Sequence, residues 1–94
     1  MDKYKVAIVD DDEVALENLS FELGKDARFS LKGTARNGKQ GKKLIAKVQP
    51  DLLFLDVEMP DMTGMELLQE IRGSVSWNMR IVFRLSGRLR STIC

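Results

Sequence analysis

The chain has no histidine among its 94 residues. Acid or base catalysis through an imidazole, and metal ligation by one, are therefore excluded. The single cysteine, Cys94, can form neither an internal disulfide nor a cysteine-based metal site, although an exposed terminal thiol could link two chains on oxidation. Proline is confined to Pro50 and Pro60, which bracket one apolar stretch. No apolar run approaches the roughly 18 residues of a membrane span, and Met1 to Lys5 is too polar to begin a secretory signal, so a cytoplasmic protein is expected. Charge of one sign is also lacking: 15 basic and 14 acidic side chains leave a net +1. Neither direct nucleic-acid contact nor membrane binding follows from such a balance.

What remains is the composition of one small soluble domain, 44% hydrophobic and 31% charged. A chain of this size buries no more than about two-thirds of its unfolded surface, so little stability is held in reserve. The charge is unevenly placed. Residues 84–94 hold Arg84, Arg88 and Arg90 and no acid, whereas residues 1–83 carry 12 basic against 14 acidic groups. Residues 1–83 therefore read as the domain and 84–94 as a divergent basic tail.

The chain is organised around Asp51 to Gly64, DLLFLDVEMPDMTG. Leu52 to Leu55 is an uninterrupted apolar run of strand length, which suits a strand buried on both faces of a parallel sheet. Asp56 then falls at the carboxyl end of a central strand, where open α/β sheets place their ligand crevices. Tyr4 to Val9 reads as a first buried strand and runs directly into Asp10, Asp11, Asp12 and Glu13. Val14 to Leu23 repeats apolar residues at helical spacing, with Asp12 as N-cap and Gly24 as the stop. Phe29 to Ala35 is a strand of mixed character, suited to a sheet edge. Asn37 and Gly38 make a turn into a helix from about Lys39 to Val48, ended by Pro50. Thr63 and Glu66 have the spacing of a capping box, which predicts a third helix beginning near Gly64, turning Leu67, Leu68 and Ile71 inward and closing at Gly73. Ser74 to Met79 reads as a loop and Arg80 to Phe83 as the start of a fourth strand. This alternation predicts a doubly wound parallel sheet with helices on both faces.

If the first and third strands are neighbours, Asp10 and Asp11 stand beside Asp56. Clustered carboxylates must raise their pKa values or recruit a cation. An all-oxygen site favours Mg²⁺, which takes one or two carboxylates together with phosphate oxygens. That arrangement suits phosphoryl transfer to Asp56. Asp12 and Glu13 are more simply acids that complement the first turn of a helix.

Taken together, Val9 to Asp12, Leu55 to Gly64 and Asn37-Gly38 resemble the receiver domain of bacterial two-component response regulators over about residues 4 to 83. The resemblance implies a flavodoxin-like fold with strand order 2-1-3-4-5. It also implies a signalling domain rather than an enzyme, with Asp56 as phosphoacceptor, phosphorylated by a sensor histidine kinase. Asp10, Asp11 and Asp56 would bind Mg²⁺, joined by the backbone carbonyl of Glu58. The family places a Ser or Thr at the end of strand four and a Lys at the end of strand five. Here Arg84 enters the fourth strand, Leu85 takes the hydroxyl position and Ser86 follows one residue late, able to substitute only through a bulge. The fifth strand, its lysine and the last two helices are expected to be missing, so that resemblance and composition break together after Phe83, as an interrupted or frameshifted coding sequence would produce. An open fourth strand predicts a homodimer or higher oligomer.

Two alternatives remain. One is a self-associating interaction module that has lost useful phosphorylation. The other is a nucleotide-binding protein, because Gly33 to Lys39 has the G-x-x-x-x-G-K spacing of a phosphate loop, although Gln40 stands where a hydroxyl should meet the metal.

Overall fold

The computed structural model describes residues 3–75 and 78–84. Within it, β1 (Tyr4–Val9), α1 (Glu13–Gly24), β2 (Phe29–Ala35), α2 (Gly38–Val48), β3 (Leu52–Asp56), α3 (Gly64–Ile71) and β4 (Arg80–Arg84) follow one another, with a single 3₁₀ turn at Arg72–Ser74. The strands form one parallel sheet in the order β2-β1-β3-β4. This is the doubly wound arrangement expected from the alternation of strand and helix, in the flavodoxin-like order that the family resemblance implied. β1 and β3, the two apolar runs, occupy the centre, and the mixed β2 lies at an edge.

Alternation along β1 divides the interior into two layers. Ala7 and Val9 face α2 and α3 and pack with Ile45, Leu53, Leu55, Leu67 and Ile71. Val6 and Ile8 face α1 and pack with Leu16 and Leu23. Each layer is a compact apolar cluster, and burial of a side chain of this type contributes about 1.5–3 kcal/mol relative to leaving it in water.

The helix starts are held by the residues expected. Asp12 accepts from the backbone N–H groups of Val14 and Ala15, and Thr63 and Glu66 complete a reciprocal capping box. The stops differ. Gly24 is the last helical residue of α1, with Lys25 as its cap in right-handed conformation. α2 ends at Val48 and is capped by Gln49, which adopts a left-handed conformation with φ 52° and returns its N–H to Ile45. α3 ends at Ile71 and continues through the 3₁₀ turn, so Gly73 does not close it. Met65, on α3, is 57% exposed.

Arg84 is not an intruding charge in a buried strand. It is the final residue of β4, paired in register with Asp56, and its side chain is 32% exposed. Leu85, Ser86 and Trp77, with the basic tail beyond Arg84, lie outside the described residues.

Candidate functional site

Parallel pairing sets the carboxyl ends of the central strands side by side. Val9 is opposite Leu55, so Asp10 follows β1 at the level where Asp56 ends β3. The Asp10 N–H donates to the carbonyl of Ala35 on the other neighbour, which fixes the chain as it leaves the sheet. One carboxylate oxygen from each of Asp10, Asp11 and Asp56 lies within 4.8 Å of the others. Asp10 and Asp56 are almost wholly buried, at 1% and 0% exposure.

The three acids are held differently. Asp10 Oδ1 accepts the Asp12 N–H at 2.9 Å, and Asp10 Oδ2 accepts Arg84 Nε at 2.7 Å. Asp56 Oδ1 accepts the Glu58 N–H at 3.2 Å, whereas Asp56 Oδ2 is buried without a hydrogen-bond partner among the described residues. Burial is the main cause that pushes the Asp56 carboxyl up to about 7, and the neighbouring carboxyls of Asp11 and Asp10 reinforce it against the Glu58 N–H. A buried carboxylate oxygen with no partner is costly unless a donor or a cation meets it. The donor set is entirely oxygen, which matches a hard divalent ion and not a soft one. The residues present thus fit Mg²⁺.

The loop between β3 and α3 is shaped by contacts on both sides. Glu58 pairs with Thr63 in an isolated antiparallel bridge, and the Gly64 N–H donates to Val57 at 2.8 Å. Gly64 is obligatory here for a steric reason. A Cβ on it would lie 2.6 Å from the carbonyl oxygen of Asp56. Helix α3 can therefore start directly against the residue that bears the buried carboxylate.

The sequence of this chain matches the family model of the response regulator receiver domain over residues 6–87. The chain belongs to that family. Among curated relatives, this receiver is 44% identical over 71 residues to a protein-glutamate methylesterase/protein-glutamine glutaminase of Geobacillus kaustophilus. It is 43% identical over 75 residues to the probable C4-dicarboxylate response regulator DctR of Bacillus subtilis. These alignments cover 76% and 74% of the receiver but only 20% and 31% of the two relatives. Among solved structures, the response regulator domain of Thermotoga maritima CheB superposes with a TM-score of 0.79 at 23% identity, over 87% of this chain and 60% of that one. The signal receiver domain of the putative response regulator NarL from Mycobacterium tuberculosis gives 0.77 at 24% identity, over 96% and 71%. At that identity, these two superpositions establish the shared fold.

The three acids expected at the site, Asp10, Asp11 and Asp56, come together, and Glu58 was expected there only through its backbone carbonyl. Glu58 contributes its backbone to the loop, and its side chain is exposed. The phosphate-loop reading of Gly33 to Lys39 does not survive the fold. Gly33, Thr34 and Ala35 are strand residues paired with Ala7, Ile8 and Val9. The Gly38 and Lys39 N–H groups that would cradle an anion donate instead to Asp61, at 2.8 and 2.9 Å, and that of Gln40 donates to Asn37.

Two site residues escaped sequence reasoning. Asp61 has no local signal, since its partners are 22 and 23 residues away. Arg84 carried a signal of the right kind, a charge at the strand end in register with Asp56, and its meaning lay in the acids it meets.

No helix among the described residues is long and apolar enough to cross a membrane.

Proposed function

We propose that this receiver accepts a phosphoryl group on Asp56 from a sensor histidine kinase. The observation that carries the reading is the buried, unpartnered Oδ2 of Asp56 inside an all-oxygen cluster with Asp10 and Asp11. In the transfer, a carboxylate oxygen of Asp56 forms a bond to phosphorus as the phosphorus–nitrogen bond of the phosphohistidine breaks, and the leaving imidazole takes up a proton. Asp56 must be ionised to attack, and its raised pKa places that requirement near neutral pH. The Glu58 N–H, bonded to Oδ1, orients the carboxylate and leaves Oδ2 directed into the cluster.

Asp10, Asp11 and Asp56 would hold Mg²⁺ with the backbone carbonyl of Glu58. When bound, the ion supplies positive charge that neutralises the oxygens of the transferring group. Intact mass after incubation with acetyl phosphate and Mg²⁺ tests the assignment. A phosphate adduct is expected on the wild type and not on Asp56→Asn. An adduct on both proteins, or on neither when both are folded, refutes Asp56 as acceptor.

A second reading, self-association, is favoured by β4. It is an edge strand of the described sheet, and Val82 and Phe83 are each 43% exposed on it. An exposed apolar edge pairs readily with another copy.

A further inference from the structure

We infer that Arg84 is a built-in cation of the acidic pocket that opposes divalent metal at Asp10. The inference rests on the metal-assisted reading of the Asp56 site and concerns how tightly that site holds its ion.

Asp10 is 1% exposed, so its charge must be met from within the protein. Both of its oxygens are taken, Oδ1 by the Asp12 N–H and Oδ2 by Arg84 Nε. A metal ion that binds through Asp10 must share an oxygen with one of them or displace it. The Asp12 N–H belongs to the backbone at the start of α1 and cannot leave without moving the helix cap. Arg84 can leave. It lies at the last position of edge strand β4, its side chain is 32% exposed, and it reaches past the end of β3 to the acid that follows β1. Its stem borders a groove with Leu19, Phe54 and Val82, which gives the side chain somewhere to lie when its head is released.

The charges decide the direction of the effect. Asp10 and Asp56 contribute two of the three carboxylates grouped within 4.8 Å, and a guanidinium bonded to one of them cancels part of the attraction that would draw in a divalent ion. It also repels that ion directly at close range. Metal binding and the Arg84–Asp10 pair are therefore antagonistic across the pocket. In the metal-free protein Arg84 meets the buried charge of Asp10, and an ion in the pocket weakens that contact.

The test is a calorimetric titration of the full chain with Mg²⁺, comparing wild type, Arg84→Met and Arg84→Lys, with folding checked by circular dichroism. Met keeps the apolar stem without the charge, and Lys keeps the charge. Arg84→Met is expected to bind Mg²⁺ about tenfold more tightly than wild type, or better, with Arg84→Lys close to wild type. Should Arg84→Met fail to fold, Arg84→Gln is read in its place. Equal or weaker binding by the uncharged variant overturns the inference while leaving the metal site standing, and so does equal tightening by Arg84→Lys. Absence of Mg²⁺ binding in wild type and variants alike overturns the metal site and the inference with it.

Discussion

Asp61, five residues beyond Asp56, accepts the backbone N–H of Gly38 at 2.8 Å and so fastens the loop after β3 to the first turn of α2. Its other oxygen accepts the Lys39 N–H at 2.9 Å. One carboxylate thus serves as a second cap for a helix that already has Asn37. These amide bonds hold the Asp61 carboxyl below the usual carboxylate range, the Gly38 N–H contributing most. A depressed folded-state pKa gives stability that is present above the ordinary carboxylate value and is lost as pH falls through the folded one. Asp61→Asn, which keeps one acceptor and loses the charge, is expected to unfold at lower urea than wild type at neutral pH. The gap should close in strong acid. Parallel urea titrations at the two pH values check it, and a gap that does not change with pH refutes the role of the charge.

Two glycines predict opposite outcomes for the same substitution. At Gly64 an added Cβ meets backbone, the Asp56 carbonyl oxygen at 2.6 Å, and the side chain of Leu55 at 3.2 Å. Gly64→Ala is expected to destabilise by about 2–3 kcal/mol, because α3 must back away from β3. At Gly24, the last residue of α1, nothing lies within 4 Å of the added atom. Gly24→Ala is expected to stabilise by roughly 0.5 kcal/mol through the reduced backbone freedom of the unfolded chain. Chemical denaturation of both variants decides the matter, and the same sign for both refutes it.

The legible and illegible parts of this domain divide along one physical line. Features dictated by neighbouring residues could be read. The apolar runs of β1 and β3, the capping box at Thr63 and Glu66, and the acids at two strand ends follow from local pattern, and the sheet order followed from the family those residues resembled. Features made by groups that the fold alone brings together could not. Asp61 at Gly38 is one such contact, and Arg84 at Asp10, 74 residues apart in sequence, is the other. Gly73 misled in the opposite direction. Among the described residues nothing lies within 4 Å of where a Cβ on it would sit, and the helix gives way to a 3₁₀ turn before reaching it, so its presence in the sequence marked no helix end.

Asp56 predicts a pH dependence of both chemistry and stability. Burial raises its carboxyl to about 7. A raised folded-state pKa gives stability that is full below the ordinary carboxylate value and is lost as pH rises through the folded one. In the presence of a chelator, wild type should therefore weaken relative to Asp56→Asn between about pH 4 and pH 7. The difference above pH 7 is expected to be about 1–2 kcal/mol. Denaturation series of the two proteins test this. Labelling by acetyl phosphate with Mg²⁺ should likewise fall as the carboxylate is protonated, although the ion shifts that fall to lower pH. A stability difference constant from pH 4 to pH 8 refutes the burial effect on Asp56.

The open edge of β4 predicts association. Val82 and Phe83 are each 43% exposed and alternate to opposite faces of the strand, Val82 over the α1 side with Leu19 and Phe54. Wild-type protein is expected to show a weight-average mass that rises with concentration in sedimentation equilibrium. A lysine at an edge position blocks pairing by placing charge where another strand would lie. Val82→Lys combined with Phe83→Lys should therefore sediment as a monomer across the same range. Because both side chains are already half in water, the double variant should lose little fold stability, within about 1 kcal/mol at each site. A wild type that stays monomeric to high micromolar concentration, or a double variant that associates as strongly as wild type, would show that this edge is not where copies of the chain meet.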